Sequence, residues 1–388
     1  MSPNISIFTT FLPDHLNYYL DMASYLKDKA EIFLHQKAGD TFILGAQAKD
    51  AVLGAYTPPI SAQVVNASFV EGWDMTLLGT HNRDNLACAV AAARALGVDD
   101  EVSRKTVSEF RGVPGRLELV RKVNGVTFYN DTTATSPDAV VAALRALGEK
   151  FQKKIVLIAG GMDKGSQVEE MVEVMRTHTK AVVFLKGNGT DRLTVFFPDA
   201  PVYDVLHKAF THACSFTESG DVIVLSPGFS SKSMFLNEYD RGDQFNALVA
   251  SVPDMALLKP KVRRLAETLI EECEKEGFLV VVSRAFRTFE EQDTLYAKGR
   301  TEAGNIVTNA KGGRSYHNFG VAFDVRPVIQ NEEDREMRYK KTGVIGKRLG
   351  LEWGGDWKEF VDLPHFQFTL GYSLDDFNTG TVDETRFE

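Results

Sequence analysis

Between about Val113 and Val249, short apolar runs alternate with longer helix-like stretches, and that rhythm constrains the fold more than any other feature of the chain. Strands are expected at Val126–Tyr129, Lys154–Ala159, Ala181–Leu185 and Val222–Leu225. Such alternation argues for a parallel sheet with crossover helices, an α/β architecture. Upstream, Ile5–Thr10 and Thr41–Gly45 read as two more strands. An amphipathic helix through Tyr18, Met22, Tyr25, Ile32 and Phe33 lies between them, and Gly79 to Asn85 opens an Ala-rich helix running to about Leu96. Ala250 to Pro253 reads as a short join. Beyond it, Leu258, Val262, Leu265, Leu269 and Ile270 mark one helical face within 257–274, and Phe278–Val282 reads as a compact strand delivering Arg284 and Arg287 to its end.

The chemistry concentrates near the C-terminus. Ser315 to Asp324 and Asp362 to Gln367 together offer two imidazoles and two carboxylates. A catalytic zinc typically takes three N/O protein ligands and leaves its fourth position to water. His317, Asp324 and His365 make such a set, and an N2O set suits zinc. Asp362 is left over, placed to act as general base beside the metal. A lone His-x6-Asp is usually coincidence, and a histidine is often just a hydrogen-bonded core or surface residue. The conjunction is what carries weight, with Gly320 and Ala322 keeping the backbone slim and Pro364 stiffening the approach to His365. Seven positions separate His317 from Asp324, so the pair is expected on a strand-turn-strand or a bent strand rather than one helical face. The other six histidines lack such context.

Composition narrows the setting. A chain of 388 residues has room for two or three domains with real cores, and 44% hydrophobic with 25% charged residues is ordinary for a globular protein. A formal net charge of −9 argues against general affinity for nucleic acid or anionic lipid. Cys88, Cys214 and Cys273 are scattered and odd in number, which fits a reducing compartment and small buried apolar roles. Neither a signal peptide nor a run of about 20 apolar residues is visible, so the expected location is the cytoplasm, with no membrane span.

From about Leu257 to Thr369 the chain resembles the zinc peptidases of the VanY-type D,D-carboxypeptidase and phage-endolysin L-alanyl-D-glutamate peptidase group. Ser283-Arg284-Ala285-Phe286-Arg287-Thr288-Phe289-Glu290-Glu291-Gln292, Leu295 to Thr301, Gly304 to Thr308 and the two stretches above carry the likeness. An Asp three residues before the last His, followed by Pro-His-Phe-Gln, looks more like the L-alanyl-D-glutamate branch. The resemblance implies an α+β domain that binds Zn2+ through His317, Asp324 and His365. It also implies Asp362 as base, Arg287 facing the substrate near the scissile group, and Ser315 positioning the His317 loop or touching substrate.

From about Ile5 to Val249 the chain resembles a truncated D-glutamate-adding Mur ligase. The match rests on Asp14-His15-Leu16, Tyr25 to Lys29, Gly79-Thr80-His81-Asn82-x-x-Asn85, Gly115-Arg116-Leu117-Glu118, Asn130-Asp131-x-x-Ala134-Thr135, Gly160 to Gly165, Leu225-Ser226-Pro227 with Ser231, and Arg241-Gly242-Asp243-x-Phe245. It implies a partial central domain and a Rossmann-like C-terminal domain. By the same likeness, His15 and Lys29 match magnesium-site positions, Asn85, Arg116 and Asp131 the ATP side, and Thr135, Lys164 and Ser231 the D-glutamate side. Thr133 stands where the ligases usually have lysine, and Glu238 where an aromatic is common. The sequence contains no G-x-x-x-x-G-K-[ST] phosphate loop. Mg2+ and ATP are therefore expected only if another chain, such as a separately encoded ligase N-terminal half, completes the site.

The expected domains are 1–108, a partial ligase central domain; 109–251, its C-terminal domain; and 252–388, the peptidase. One resemblance points to making the L-Ala–D-Glu amide and the other to cutting it. The resulting expectation is a zinc peptidase acting on peptidoglycan peptides or muropeptide precursors, most of all at L-Ala–D-Glu. The alternatives are a D,D-carboxypeptidase acting on D-Ala-D-Ala, and a ligase fragment or subunit with an accessory peptidase domain.

Overall fold

A computed structural model describes residues 2–13, 18–232, 234–329, 332–358 and 360–388. His15 lies outside the described residues. The chain divides into two compact units: Met1–Val120, Thr127–Ala209 and Gly220–Asn246 form one, and Arg121–Val126, Phe210–Ser219 and Ala247–Glu388 the other. Among the described residues, no helix is long and apolar enough to cross a membrane.

The N-terminal part of the first unit is a three-stranded parallel sheet of β1 (Ile5–Phe8), β2 (Thr41–Gly45) and β3 (Ala62–Val65), in that order. β1 stops two residues short of the expected Thr10 because its ladder ends where Phe8 faces Leu44. The helix Met22–Leu34 begins later than its apolar pattern suggested. Asp21 and Ser24 close a reciprocal capping box at its start, fixing the first turn there. It buries Leu26, Ala30 and Phe33, and Phe33 stacks on Phe42 of β2 with ring centroids 4.5 Å apart.

The larger sheet runs in the order β4 (Glu118–Val123), β5 (Val126–Asn130), β9 (Val222–Leu225), β6 (Ile155–Ala159), β7 (Thr179–Leu185) and β8 (Val202–Tyr203). The pairs β5–β9, β9–β6, β6–β7 and β7–β8 are parallel. Every residue of β6 and β9 is buried, as expected of strands covered on both faces. β7 starts at Thr179 rather than Ala181, because Thr179 still pairs with Ile155. The helix Pro137–Phe151, entered through a proline in its first turn, buries Val140, Leu144 and Leu147 in the same core as Leu157 and Val224.

In the second unit, β10 (Val280–Arg284), β11 (Ala322–Pro327), β12 (Glu352–Trp353) and β13 (His365–Gln367) form an antiparallel sheet in the order β10-β11-β13-β12. The helices Pro260–Lys275 and Arg335–Arg348 contribute Val262, Leu269 and Ile345 to a core with Val280, Phe323 and Phe366. Two local expectations change here. β10 begins two residues later than Phe278, so Arg284 is part of the strand and faces Asp324. His317 sits on a short 3-10 turn, Tyr316–Phe319, rather than on a strand. Tyr316 and Phe319, three apart, both pack on Phe377, which turns the intervening His317 inward. Gly320 ends the turn at φ 68°, and a Cβ there would lie 2.8 Å from the Leu257 carbonyl oxygen.

Gly320→Ala is thus expected to cost at least about 1–2 kcal/mol from the left-handed backbone alone. Chemical denaturation of the second unit, followed by tryptophan fluorescence, should show that loss; an unchanged midpoint would contradict it.

Candidate metal and catalytic site

Three ligand-type atoms, one each from His317, Asp324 and His365, lie within 4.8 Å of one another. Strand register accounts for two of them: Asp324 on β11 stands directly opposite His365 on β13, and opposite residues point to the same face. The 3-10 turn supplies the third. Asn318 secures that turn by donating to the Arg287 carbonyl at 2.8 Å and accepting from the Gly313 amide at 3.0 Å.

The hydrogen bonds fix both imidazole tautomers. His317 Nδ1 is 2.8 Å from the Ala285 carbonyl oxygen, which can only accept, so Nδ1 carries the proton. His365 Nε2 is 3.1 Å from Gln367 Oε1. Gln367 Nε2 in turn donates to Glu352 Oε2 at 2.7 Å, which leaves Oε1 as the acceptor and puts the His365 proton on Nε2. The remaining nitrogens, His317 Nε2 and His365 Nδ1, sit 3.2 and 3.1 Å from the same oxygen, Asp324 Oδ1. In the neutral tautomers, three lone-pair donors therefore face one another in a buried place. Only a shared cation or an extra proton relieves that crowding. The donor chemistry thus fits a divalent ion bound by two nitrogens and one oxygen.

Without a cation, the extra proton gives that relief. Burial alone would push the Asp324 carboxyl up, but hydrogen bonds and charge from His317 and His365 hold it well below the usual carboxylate range. Burial lowers the His365 imidazole, and the bond to Asp324 more than reverses this, for a net rise. Asp362 is half-buried, and both burial and the neighbouring Asp324 charge push its carboxyl upward. Its backbone is held by Gly354, whose carbonyl accepts from the Asp362 amide at 3.0 Å, while the His365 amide donates to the Asp362 carbonyl at 3.1 Å.

A cleft of about 1050 Å3 opens over this cluster. Asp362, Arg287, Ser315 and Trp357 line it alongside the three ligand-type residues. Arg287 donates to Gln292 Oε1 at 2.6 Å, and its amide donates to the His317 carbonyl at 3.1 Å. Its neighbour Glu291 accepts from the Thr288 amide to cap the next helix. Gln292 is fully buried and also donates to Thr308 and Ala310, so it ties loops together rather than pinning one helix. Trp353 and Phe366 belong to the core, whereas the Trp357 ring lies 5.0 Å from that of His365. The roles of Ala285, Gln367 and Glu352 had no signal in the sequence beyond position: one acts through its backbone, and the others act one contact removed from the ligands.

The residues expected to hold nucleotide and D-glutamate are distributed unevenly. Asp131, Thr135, Lys164 and Ser231 all follow the C-terminal ends of the adjacent strands β5, β6 and β9. This is the edge where open α/β sheets bind ligands. Lys164 Nζ reaches Thr135 Oγ1 at 3.5 Å, and Asp131 accepts from Ser226 Oγ at 2.7 Å and the Leu117 amide at 3.0 Å. Burial pushes the Asp131 carboxyl up to about 7, with Ser226, Leu117 and the Arg116 charge opposing. Arg241, fully buried, binds Thr132 and the Phe229 carbonyl, so it locks together the two loops that carry Thr135 and Ser231. No hydrogen bond among the described residues joins Asn85 or Lys29 to this group; Lys29 lies over the Tyr25 ring.

Comparison with known proteins agrees with both halves. Residues 1–71 match the family described as Mur ligase middle domain, 115–229 the Mur ligase glutamate ligase domain, and 308–368 the D-alanyl-D-alanine carboxypeptidase family. The chain joins a portion similar to Mur ligases to a portion similar to these carboxypeptidases. Its ligase portion is 36% identical over 290 residues to a UDP-N-acetylmuramoylalanine--D-glutamate ligase of Roseiflexus sp. strain RS-1, covering 65% of this chain and 61% of that protein. A ligase of the same name from Salinibacter ruber is 32% identical over 283 residues, covering 64% and 60%. The chain thus spans about three fifths of the length of these relatives. The E. coli FolC structure in complex with DHPP and ADP shares the fold at 17% identity, with a TM-score of 0.50 over 64% of this chain and 62% of that one.

Two outcomes follow from this geometry. Gln367→Met removes the acceptor that orients His365 and is expected to weaken zinc binding about 10–100-fold in chelator competition. A raised carboxyl stabilises the fold below its unfolded pKa and loses that contribution as pH rises through about 7. Asp131→Asn should therefore gain stability relative to the parent as pH climbs from about 5 to about 8, as thermal melts of both proteins would show.

Proposed function

We propose that the peptidase portion is a zinc-dependent hydrolase of amide bonds in peptidoglycan peptides, cutting L-Ala–D-Glu. The observation that carries this reading is the convergence of His317 Nε2, Asp324 Oδ1 and His365 Nδ1 beside Asp362 in one cleft. His317, Asp324 and His365 would hold the ion, which when bound supplies Lewis acidity for the scissile carbonyl and a lowered pKa for water. Asp362 takes the proton from the attacking water and hands it to the departing amine. Its raised pKa suits that double duty, since burial and the neighbouring Asp324 charge make it a stronger base than a free carboxylate. Arg287, its guanidinium steered by Gln292, holds positive charge against the oxyanion or a nearby carboxylate. Ser315 opens the turn that carries His317 and borders the bound peptide.

The choice of bond leans on the ligase portion, whose relatives are named for adding D-glutamate. In this reading Thr135, Lys164 and Ser231 bind the D-glutamate region of a muropeptide, while Asn85, Arg116, Asp131, His15 and Lys29 persist from a nucleotide and magnesium site. The ligase portion is not ligase-competent alone, since a phosphate-cradling Gly-Lys-Ser/Thr loop is absent from the sequence. Working boundaries of 1–108, 109–251 and 252–388 separate the three parts. The second reading is a D,D-carboxypeptidase, favoured by the description of the family matched at 308–368.

Mass spectrometry of defined muropeptides incubated with the zinc-loaded chain tests the choice. Release of a D-Glu-led peptide is expected, and loss of terminal D-Ala alone would establish the second reading instead. Asp362→Asn should cut kcat by a factor of about 100 or more, while zinc stays bound.

A further inference from the structure

The metal-type cluster has a neighbour on the same sheet that the proposed mechanism leaves idle. Arg284 on β10 stands directly opposite Asp324 on β11, which stands opposite His365 on β13. Cross-strand neighbours share a face, so Arg284, Asp324 and His365 form one row across three strands. The β10–β11 ladder shifts register between Val282 and Arg284, the kind of irregularity that re-aims a side chain beside a site.

Arg284 nonetheless makes no ion pair with Asp324, whose Oδ1 is engaged by both imidazoles. Among the described residues its guanidinium has no hydrogen-bond or ion-pair partner, it is exposed, and it lines the same cleft as His317 and Asp362. Arg287 lines that cleft as well. Two guanidiniums held near one another, one of them unpaired, raise the local positive potential until an anion enters. A planar carboxylate matches the guanidinium fork.

We infer that Arg284 is a specificity-determining residue that binds the free α-carboxylate of the residue departing as the amine. The inference deepens the proposed hydrolase reading and rests on it for the position of the scissile bond. When L-Ala–D-Glu is cut and the stem continues through the D-Glu γ-carboxyl, the α-carboxylate of D-Glu is free, on the same carbon that bears the departing nitrogen. A terminal D-Ala presents the same group in the same place. The site therefore takes peptides whose leaving residue is an unamidated α-amino acid, and the D-Glu α-amide is a poor ligand.

The test uses the zinc-loaded full chain carrying Asp362→Asn, so that binding is read without turnover. Titration calorimetry compares L-Ala-D-Glu-L-Lys, joined through the γ-carboxyl, with its D-Glu α-carboxamide counterpart; a D-Ala-D-Ala-terminated peptide forms the third arm. The acid should bind about 10-fold or more tightly than the amide. Arg284→Gln in that background should shrink the ratio to within about 2-fold, with Arg284→Lys, which keeps the charge and loses the fork, in between. Tighter binding of the D-Ala-D-Ala peptide than of the D-Glu acid, also lost in Arg284→Gln, would keep the carboxylate role and reassign its source. A ratio near one with Arg284 present, a ratio indifferent to Arg284→Gln, or no binding of any peptide would overturn the inference. Cleavage by the chain with Asp362 intact separates the two ideas. Equal cleavage of acid and amide without binding preference removes the Arg284 role and leaves the hydrolase. An Arg284-dependent preference without cleavage of any peptide does the reverse.

Discussion

The site depends on two imidazoles being unable to rotate or exchange tautomers. His317 is fixed by a backbone carbonyl and His365 by an amide side chain, so each turns a bare nitrogen toward the same carboxylate oxygen. In a chain without a cation this is a costly arrangement, because buried lone pairs repel and buried charge is poorly solvated. The surroundings hold it in place regardless. Phe377 clamps the His317 turn, Asn318 ties that turn to the segment after β10, and the Gln367–Glu352 contact backs His365. In the proposed reading, a positive ion relieves that crowding of electron pairs.

The same sheet organises what surrounds the cluster. Register places Asp324 between His365 and Arg284, and the loop before β13 brings Asp362 to the cleft. Asp362 and the guanidiniums of Arg284 and Arg287 thus border one cleft. In the ligase portion the pattern is different: Asp131, Thr135, Lys164 and Ser231 gather at one sheet edge, braced by the buried Arg241, while among the described residues no hydrogen bond joins Asn85 or Lys29 to them. Burial pushes the Asp131 carboxyl up to about 7 although Ser226, Leu117 and the Arg116 charge oppose the rise.

Much of this was legible in the sequence where physics acts locally. Fully apolar runs name their own strands, so Thr41–Gly45 and Val222–Leu225 have the bounds expected of them. The ligand-type residues were legible because His317 and His365 are the only histidines after His212, and the peptidase resemblance singled out Asp324 among many carboxylates. Legibility fails where a role is conferred by another part of the chain. Ala285 acts through its carbonyl, 32 residues from His317, and an alanine has no side-chain signal for that. Gln367 gains its role only when β13 brings it beside Glu352. Arg284 was expected beyond the strand, and pairing with Asp324 drew it into β10. The His317 turn escaped a strand-based reading because its conformation comes from Phe377, some sixty positions later.

X-ray absorption at the zinc edge of the purified full chain tests the central claim most directly. One zinc per chain with two imidazole nitrogens and oxygen donors in its shell is the result this account predicts. A zinc-free chain, or a shell with sulfur or a single imidazole, would contradict it.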